Sequence, residues 1–251
     1  MSQKLLCYAH RGGRQGYSEN SLSAIEQALK VGVDGIEIDI WNVGGELLVT
    51  HDRRLGRLLP GEGLITDQSP AELRQQQLSC GSFTPNLREV LELVGDQCEL
   101  NIEIKGQRSS ALLCELLDDF CRATNSTPDQ YLISSFDQRQ LFDCMQRLPA
   151  VRRGVLVAGI PLDLAQCGEG LGAFSMHSEL SFVTDEFVQD ARRRGMKNFV
   201  YTVNHWDDFM LMSQMQVDGV FTDYPEKLNR FNANVPATHC EAPRPSSAPL
   251  A

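Results

Sequence analysis

The chain has 251 residues, 42% hydrophobic and 22% charged, with a formal net charge of −10. That length suits a single (β/α)8 barrel with a large core, and the composition is that of an ordinary soluble globular protein. The negative charge argues against a nucleic-acid backbone or an anionic membrane surface as main partner.

No apolar run approaches the roughly 20 residues that span a bilayer, so stable membrane insertion is not expected. The N-terminal apolar patch is too short for a signal peptide. The eight cysteines include no C-x-x-C pair, which signals neither zinc nor a thioredoxin-like motif. Reduced thiols in that number suit a reducing compartment, and a cytoplasmic protein is expected.

Residues 5–9 form an apolar run of strand length that ends at His10-Arg11-Gly12-Gly13. Residues 18–31 read as a helix. Leu22, Ile25, Ala28 and Leu29 follow helical spacing, Ser18 and Ser21 offer N-caps, and Gly32 ends it. Residues 35–40, GIEIDI, form the second strand. Alternation puts Gly35, Glu37 and Asp39 on one face and Ile36, Ile38 and Ile40 on the other. Gly44-Gly45 turns the chain into a hairpin extension over 46–50, which leads to His51-Asp52.

Residues 53–84 are the least regular part, with Pro60-Gly61, Gly63 and Ser69-Pro70 as breakers. The expectation there is a long loop with a short helix near 70–76. A helix over 86–94 precedes the third strand, 99–105. Here Asn101, Glu103 and Lys105 interleave with Ile102 and Ile104, repeating the pattern of the second strand.

A helix over 109–123, a strand over 131–134, a helix over 137–147 and a strand over 153–157 follow. Residues 161–170 read as a short helix, 173–177 as a strand and 184–194 as a helix. Strand 198–203, helix 206–214, strand 218–222 and a last helix from 225 to 229 complete the alternation. Eight strands separated by helices predict parallel βαβ units. The fold expected is an α/β (β/α)8 TIM barrel over 1–231, with a small loop and short-helix insertion (53–85) after the second strand. Residues 232–251, rich in Pro, Ala and Ser, are expected to be a disordered tail.

In such barrels the active site lies at the C-terminal ends of the strands. His10, Glu37, Asp39, Glu103 and Lys105 all fall there, with Ser135 just past the fourth strand and Tyr201 near the end of the seventh. An amphipathic strand can simply point its carboxylates at water. On the covered inner face of a barrel an acid needs a reason. Three converging carboxylates raise one another's pKa, and a hard divalent ion resolves that. All-oxygen ligation by Glu37, Asp39 and Glu103 suits Mg2+ or Ca2+ better than zinc. The bland counterpart is a metal-free network neutralised by Lys105 and Arg11. Those two cations suit a phosphate that also touches the metal. His10 and His51 are the acid and base candidates, because imidazole titrates near neutrality.

The residues together resemble the glycerophosphodiester phosphodiesterase family. The resemblance runs through His10-Arg11-Gly12, Ser18-Glu19-Asn20-Ser21, Gly35-Ile36-Glu37-Ile38-Asp39 and His51-Asp52. It continues through Glu103-Ile104-Lys105, Ser134-Ser135-Phe136, Tyr201-Thr202-Val203-Asn204 and residues 217–225, VDGVFTDYP. It covers residues 5–230 and implies a TIM barrel of the bacterial cytoplasmic type. The implied reaction is hydrolysis of glycerophosphodiesters to glycerol 3-phosphate and an alcohol. The implied site has a divalent metal on Glu37, Asp39 and Glu103, catalytic His10 and His51, and phosphate-binding Arg11 and Lys105. The sequence departs from the family at Ser18, where Pro is usual, at Tyr201, commonly Trp, and at the turn Val43-Gly44-Gly45.

Tyr201, Ser135 and His177 are the expected substrate-pocket residues. Glu19 and Asn20 are expected to brace Arg11 or the first loop, and Asp223 is either a rim acid or a partner of the site. The partner expected is a small glycerophosphodiester, with a homodimer left open. One rival reading is a barrel phosphodiesterase acting on lysophospholipids or phosphoinositides, with Leu55, Leu58, Leu59 and Leu64 as an apolar ridge. Another is a non-catalytic barrel kept as a binding module.

Overall fold

The computed structural model describes residues 3–235 apart from Gln15 and Ser79. The strands are β1 (Leu6–Ala9), β2 (Gly35–Val43), β3 (Glu46–Val49), β4 (Glu99–Ile104) and β5 (Tyr131–Ser135). They continue with β6 (Arg152–Val157), β7 (Ser175–Glu179), β8 (Lys197–Tyr201) and β9 (Gly219–Thr222). The helices are α1 (Leu22–Val31), α2 (Pro70–Gln75), α3 (Leu87–Val94), α4 (Ser110–Thr124) and α5 (Gln138–Arg147). After them come α6 (Gln166–Glu169), α7 (Asp185–Arg193), α8 (Trp206–Gln214) and α9 (Pro225–Asn234).

The sheet order is β1-β9-β8-β7-β6-β5-β4-β2-β3, and β1 also pairs with β2. That pairing closes eight parallel strands into a (β/α)8 TIM barrel, while β3 is an antiparallel hairpin extension of β2. The outward faces of the strands and the inward faces of the helices make the main core, including Ile36, Ile38, Ile40, Ile102 and Ile104. Inside the barrel Tyr8, Phe199 and Phe221 form a separate aromatic cluster. These rings meet at centroid distances of 5.0 to 6.0 Å in tilted or edge-on pairs, an arrangement their quadrupoles favour.

Caps fix the helix starts. The Ser21 hydroxyl accepts from the Ala24 N–H, so α1 begins at Leu22 and the expected first turn, 18–20, is free for the site. Asn86 and Glu89 form a reciprocal capping box on α3. The expected helix over 161–170 shrinks to α6 because Leu164 sits at φ 54, which a continuous helix does not allow. The seventh strand of the barrel's eight, β8, ends at Tyr201, and α9 runs to Asn234, three residues into the stretch expected to be tail. Residues 236–251 of that stretch lie outside the described residues.

The insertion has a core of its own. Leu59, Ile65, Leu73 and Leu78 bury against Trp41, Val43 and Leu48 of the hairpin, with Leu55 and Leu58 packed alongside. Of the four leucines that the rival reading took as an apolar ridge, Leu59 is buried in this core and Leu55 and Leu58 are partly buried against it. Among the described residues no helix is long and apolar enough to cross a membrane.

Candidate active site

Register brings the acids together. In the β2–β4 pairing Glu37 is opposite Asn101 and Asp39 is opposite Glu103. All three carboxylates are buried, and one oxygen from each lies within 4.8 Å of the others. Burial, then the charges of Asp39 and Glu103, pushes the Glu37 carboxyl well above its ordinary range. Burial and Asp39 push Glu103 up to about 7 despite Lys105. Glu37 Oε1 is buried with no hydrogen-bond partner. Three oxygen donors, an orphaned carboxylate oxygen and mutual repulsion are what a bound divalent cation would relieve, so the residues present fit one.

The cations come from two strand ends. Arg11 follows β1 in a tight turn and sits at φ 53, which aims its backbone N–H at Glu37 Oε2, 2.8 Å away. Its Nη1 donates to Glu19 Oε1 at 2.7 Å, and its Nε lies 3.4 Å from Asp39 Oδ2 as an ion pair without hydrogen-bond geometry. Lys105 Nζ lies 2.7 Å from Glu103 Oε1 and 3.7 Å from Asp39 Oδ1. Burial works against its charge, but Glu103 and Asp39 hold its pKa above the ordinary lysine value.

Each candidate imidazole is held by a carboxylate at Nδ1. His10 Nδ1 lies 2.8 Å from Asp223 Oδ1, and His51 Nδ1 lies 2.9 Å from Asp52 Oδ1. Such a bond fixes ring orientation and leaves Nε2 as the free nitrogen. Asp223 is itself fixed by Asn204, whose Nδ2 donates to Oδ2 and whose Oδ1 accepts the Asp223 N–H. Burial tends to raise the Asp223 carboxyl, but the bond from His10 and that from Asn204 bring it below its usual range. His51 rests on the insertion core, where Trp41 Nε1 donates to its carbonyl at 3.1 Å. Burial depresses the His51 pKa, outweighing Asp39 and the bond to Asp52.

His10, Arg11, Glu37, His51, Glu103 and Lys105 line one cavity of about 170 Å³. A larger groove of about 650 Å³ runs between α3 and α4, past Leu91, Phe120 and Tyr131. It lies away from the carboxylates, so size alone does not locate the site. Tyr201 lines the cavity, with its hydroxyl tied to the Val157 carbonyl and its ring edge-on to Phe136.

His177 lines the cavity too, but it does not end its strand as expected. β7 runs from Ser175 to Glu179, so His177 is mid-strand, fully buried with its ring against Phe199 and Phe221. Its Nε2 meets the Ser175 hydroxyl, its Nδ1 has no partner, and burial takes its pKa down to about 3. It is a neutral group in the floor. Ser135 does not reach the cavity. Its hydroxyl donates to the Ile104 carbonyl and accepts the Asp137 N–H, so it ties off a strand end. Phe136, next in sequence, lines the wall instead.

Several positioning groups escaped the sequence reading as site residues. Asp52 was visible only as the neighbour of His51, whereas Asp223, read as either a rim acid or a partner of the site, is the partner of His10. Asn101, in the GIEIDI-like repeat, lines the floor with an unpartnered Oδ1. Arg57, in the irregular insertion, carried no local signal at all.

The model of the glycerophosphoryl diester phosphodiesterase family matches residues 10–227. The chain is 31% identical over 236 residues to a glycerophosphodiester phosphodiesterase of Caldanaerobacter subterraneus subsp. tengcongensis, covering 90% of this chain and 96% of that one. It is 31% identical over 237 residues to a glycerophosphodiester phosphodiesterase of Bacillus altitudinis, covering 88% and 95%. In structure it resembles a phosphodiesterase of Oleispira antarctica solved with the product sn-glycerol-3-phosphate. The TM-score is 0.83 at 26% identity, covering 93% of this chain and 98% of that one.

Proposed function

The chain belongs to the glycerophosphoryl diester phosphodiesterase family, and we propose that it hydrolyses glycerophosphodiesters to glycerol 3-phosphate and an alcohol at the cavity between His10 and His51. The observation that carries this reading is the pair of carboxylate-anchored imidazoles lining one cavity with a buried three-acid cluster and two cations.

Arg11 and Lys105 supply the positive charge that draws in a phosphodiester and orients its non-bridging oxygens. His51, whose pKa burial lowers, accepts through Nε2 a proton from the attacking water, or from a glycerol hydroxyl whose cyclic phosphate water then opens. His10, its ring oriented by Asp223 at Nδ1, delivers a proton to the departing alcohol oxygen. Glu37, Asp39 and Glu103 would hold a divalent cation, Mg2+ or Ca2+, which supplies Lewis-acid stabilisation of charge on the phosphoryl oxygens when bound. Tyr201 and Phe136 give the cavity a flat apolar side against which the glycerol or head group packs.

The test is release of glycerol 3-phosphate from glycerophosphocholine and glycerophosphoethanolamine, with EDTA and with each cation added back. His10→Ala and His51→Ala are each expected to lower turnover by on the order of 10²-fold or more. Turnover at the wild-type rate in either variant removes that histidine from the scheme. A protein that releases no glycerol 3-phosphate with any cation overturns the reading as a whole.

A further inference from the structure

We propose that Arg57, on the insertion and outside the cavity, is a positioning residue for the reaction, locking the Asp52–His51 arm of the site to the Glu19–Arg11 arm. The inference rests on the reading of His51 as a working group.

The guanidinium makes two forks. Toward Asp52, Nε donates to Oδ2 at 2.6 Å and Nη2 to Oδ1 at 2.8 Å. Toward Glu19, Nη1 donates to Oε2 at 3.0 Å and Nη2 to Oε1 at 2.7 Å. A planar donor that engages two carboxylates in this way fixes the plane of each. Asp52 Oδ1 is shared between Arg57 and His51 Nδ1, so the angle at which Asp52 meets the imidazole depends on Arg57. Glu19 is 5% exposed at its side chain and also accepts from Arg11 Nη1. The two arms come from different strands, and Arg57 is the link between them.

The insertion holds Arg57 in place. The chain turns tightly here, with the Gly56 N–H donating to the Leu59 carbonyl at 2.7 Å and the Leu55 N–H to the Gly63 carbonyl at 3.1 Å. Leu59, beside the turn, is anchored in the insertion core. Arg57 itself is half exposed and does not line the cavity. It therefore acts through Asp52 and Glu19 rather than on substrate, and its removal leaves Asp52 open to water instead of buried and unpaired. A lysine offers a point charge and cannot make both forks.

The experiment is steady-state hydrolysis of glycerophosphocholine by wild type, Arg57→Ala, Arg57→Lys, Asp52→Asn, the Arg57→Ala/Asp52→Asn double variant and His51→Ala. Arg57→Ala is expected to lower kcat about tenfold or more and to change KM less than about threefold, with Arg57→Lys restoring only part of kcat. In the Asp52→Asn background the same change is expected to cost less than about threefold, because the two act as one unit. An equal loss in both backgrounds, an unchanged kcat, or a loss confined to KM overturns the proposal. Should Arg57→Ala not fold, Arg57→Lys carries the same comparison. If His51→Ala is inactive while Arg57→Ala turns over normally, the proposal alone fails. If His51→Ala turns over normally, the reading of the site fails and takes the proposal with it.

Discussion

Asn20 grips Asp39 at two points. Its Nδ2 donates to Asp39 Oδ2 at 2.9 Å, and its Oδ1 accepts the Asp39 backbone N–H at 3.1 Å. To do so Asn20 adopts φ 58 and is buried. A left-handed residue is tolerated there because both bonds hold it and because Asn accepts that conformation better than most residues. The grip matters because Asp39 is one of the three acids that fit a cation.

Asn20→Ala removes both bonds and places a less suitable residue at a left-handed position. The expected cost is about 2–3 kcal/mol of stability, from a buried acceptor and donor left without partners. Cation affinity should fall about 10- to 100-fold, as it does when the groups orienting a ligand are lost. Thermal melts and a calorimetric titration with Mg2+ or Ca2+ check both. Wild-type affinity in the variant would mean that Asp39 needs no orienting partner.

The acid cluster makes stability depend on pH in a definite direction. Burial and neighbouring charge raise Glu37, and they raise Glu103 to about 7. In the unfolded chain both titrate near about 4.3. A raised carboxyl contributes stability that is fully present below the unfolded value and is lost as pH rises through the folded value. In EDTA the melting temperature should therefore fall between pH 5 and pH 8, over the range set by about 4.3 and about 7. Cation binding needs deprotonated ligands, so a saturating divalent cation should raise the melting temperature more at pH 8 than at pH 5. Glu103→Gln should flatten the EDTA profile and weaken the cation response. The same pH slope with and without cation would remove the cluster as a cation site.

In the proposed mechanism His51 sets the acid limb of activity. Its pKa is lowered by burial and partly restored by Asp39 and by the bond to Asp52. As proton acceptor it must be neutral, so kcat/KM should decline only below the ordinary imidazole value of about 6.5. Asp52→Asn removes a contribution that raises the His51 pKa. The limb should then move further toward acid, and turnover should drop by on the order of 10²-fold as the imidazole loses its orienting acceptor. A limb that moves toward higher pH would assign it to another group.

What the sequence made legible follows from the range of the forces involved. The alternation in Glu37 and Asp39, repeated at Asn101 and Glu103, is a local period-2 pattern, and it fixed both strands and the face their acids share. The cap at Ser21 is local too, although a helix start at 18 was equally permitted by the serines there. His177 does line the cavity, but it was expected to end its strand. β7 starts two residues later than the apolar run at Ala173 suggests and continues to Glu179, because pairing with β6 and β8 rather than local pattern sets its bounds. Arg57 and Glu19 lie 38 positions apart. Their contact depends on the path of a loop whose shape comes from its own small core, so no periodicity could announce it.

Gly35 is the least replaceable glycine near the site. It shares the inward face of β2 with Glu37 and Asp39, and an added Cβ would stand 2.3 Å from Tyr8 Cε1. The Tyr8 ring has nowhere to go. It packs edge-on against Phe199 at 5.0 Å and tilted against Phe221 at 5.4 Å. Its hydroxyl is bonded to Glu99, which in turn accepts from Arg152 Nη1, and Arg152 stacks over Phe174 at 4.7 Å. Gly35→Ala is therefore expected to destabilise the barrel by about 3 kcal/mol, the upper end for an overpacked core. A change that drives β2 and β1 apart also shifts Glu37 from the Arg11 N–H, so cation affinity should weaken together with stability. Tyr8→Leu alone leaves Glu99 short of a partner and opens space in the barrel, so it too is destabilising. Combined with Gly35→Ala it should cost less than the sum, because the methyl then occupies the space the ring has left. Urea unfolding of the two single variants and the double variant measures the coupling. Strict additivity, or a Gly35→Ala protein as stable as wild type, would show that Tyr8 yields to the methyl after all.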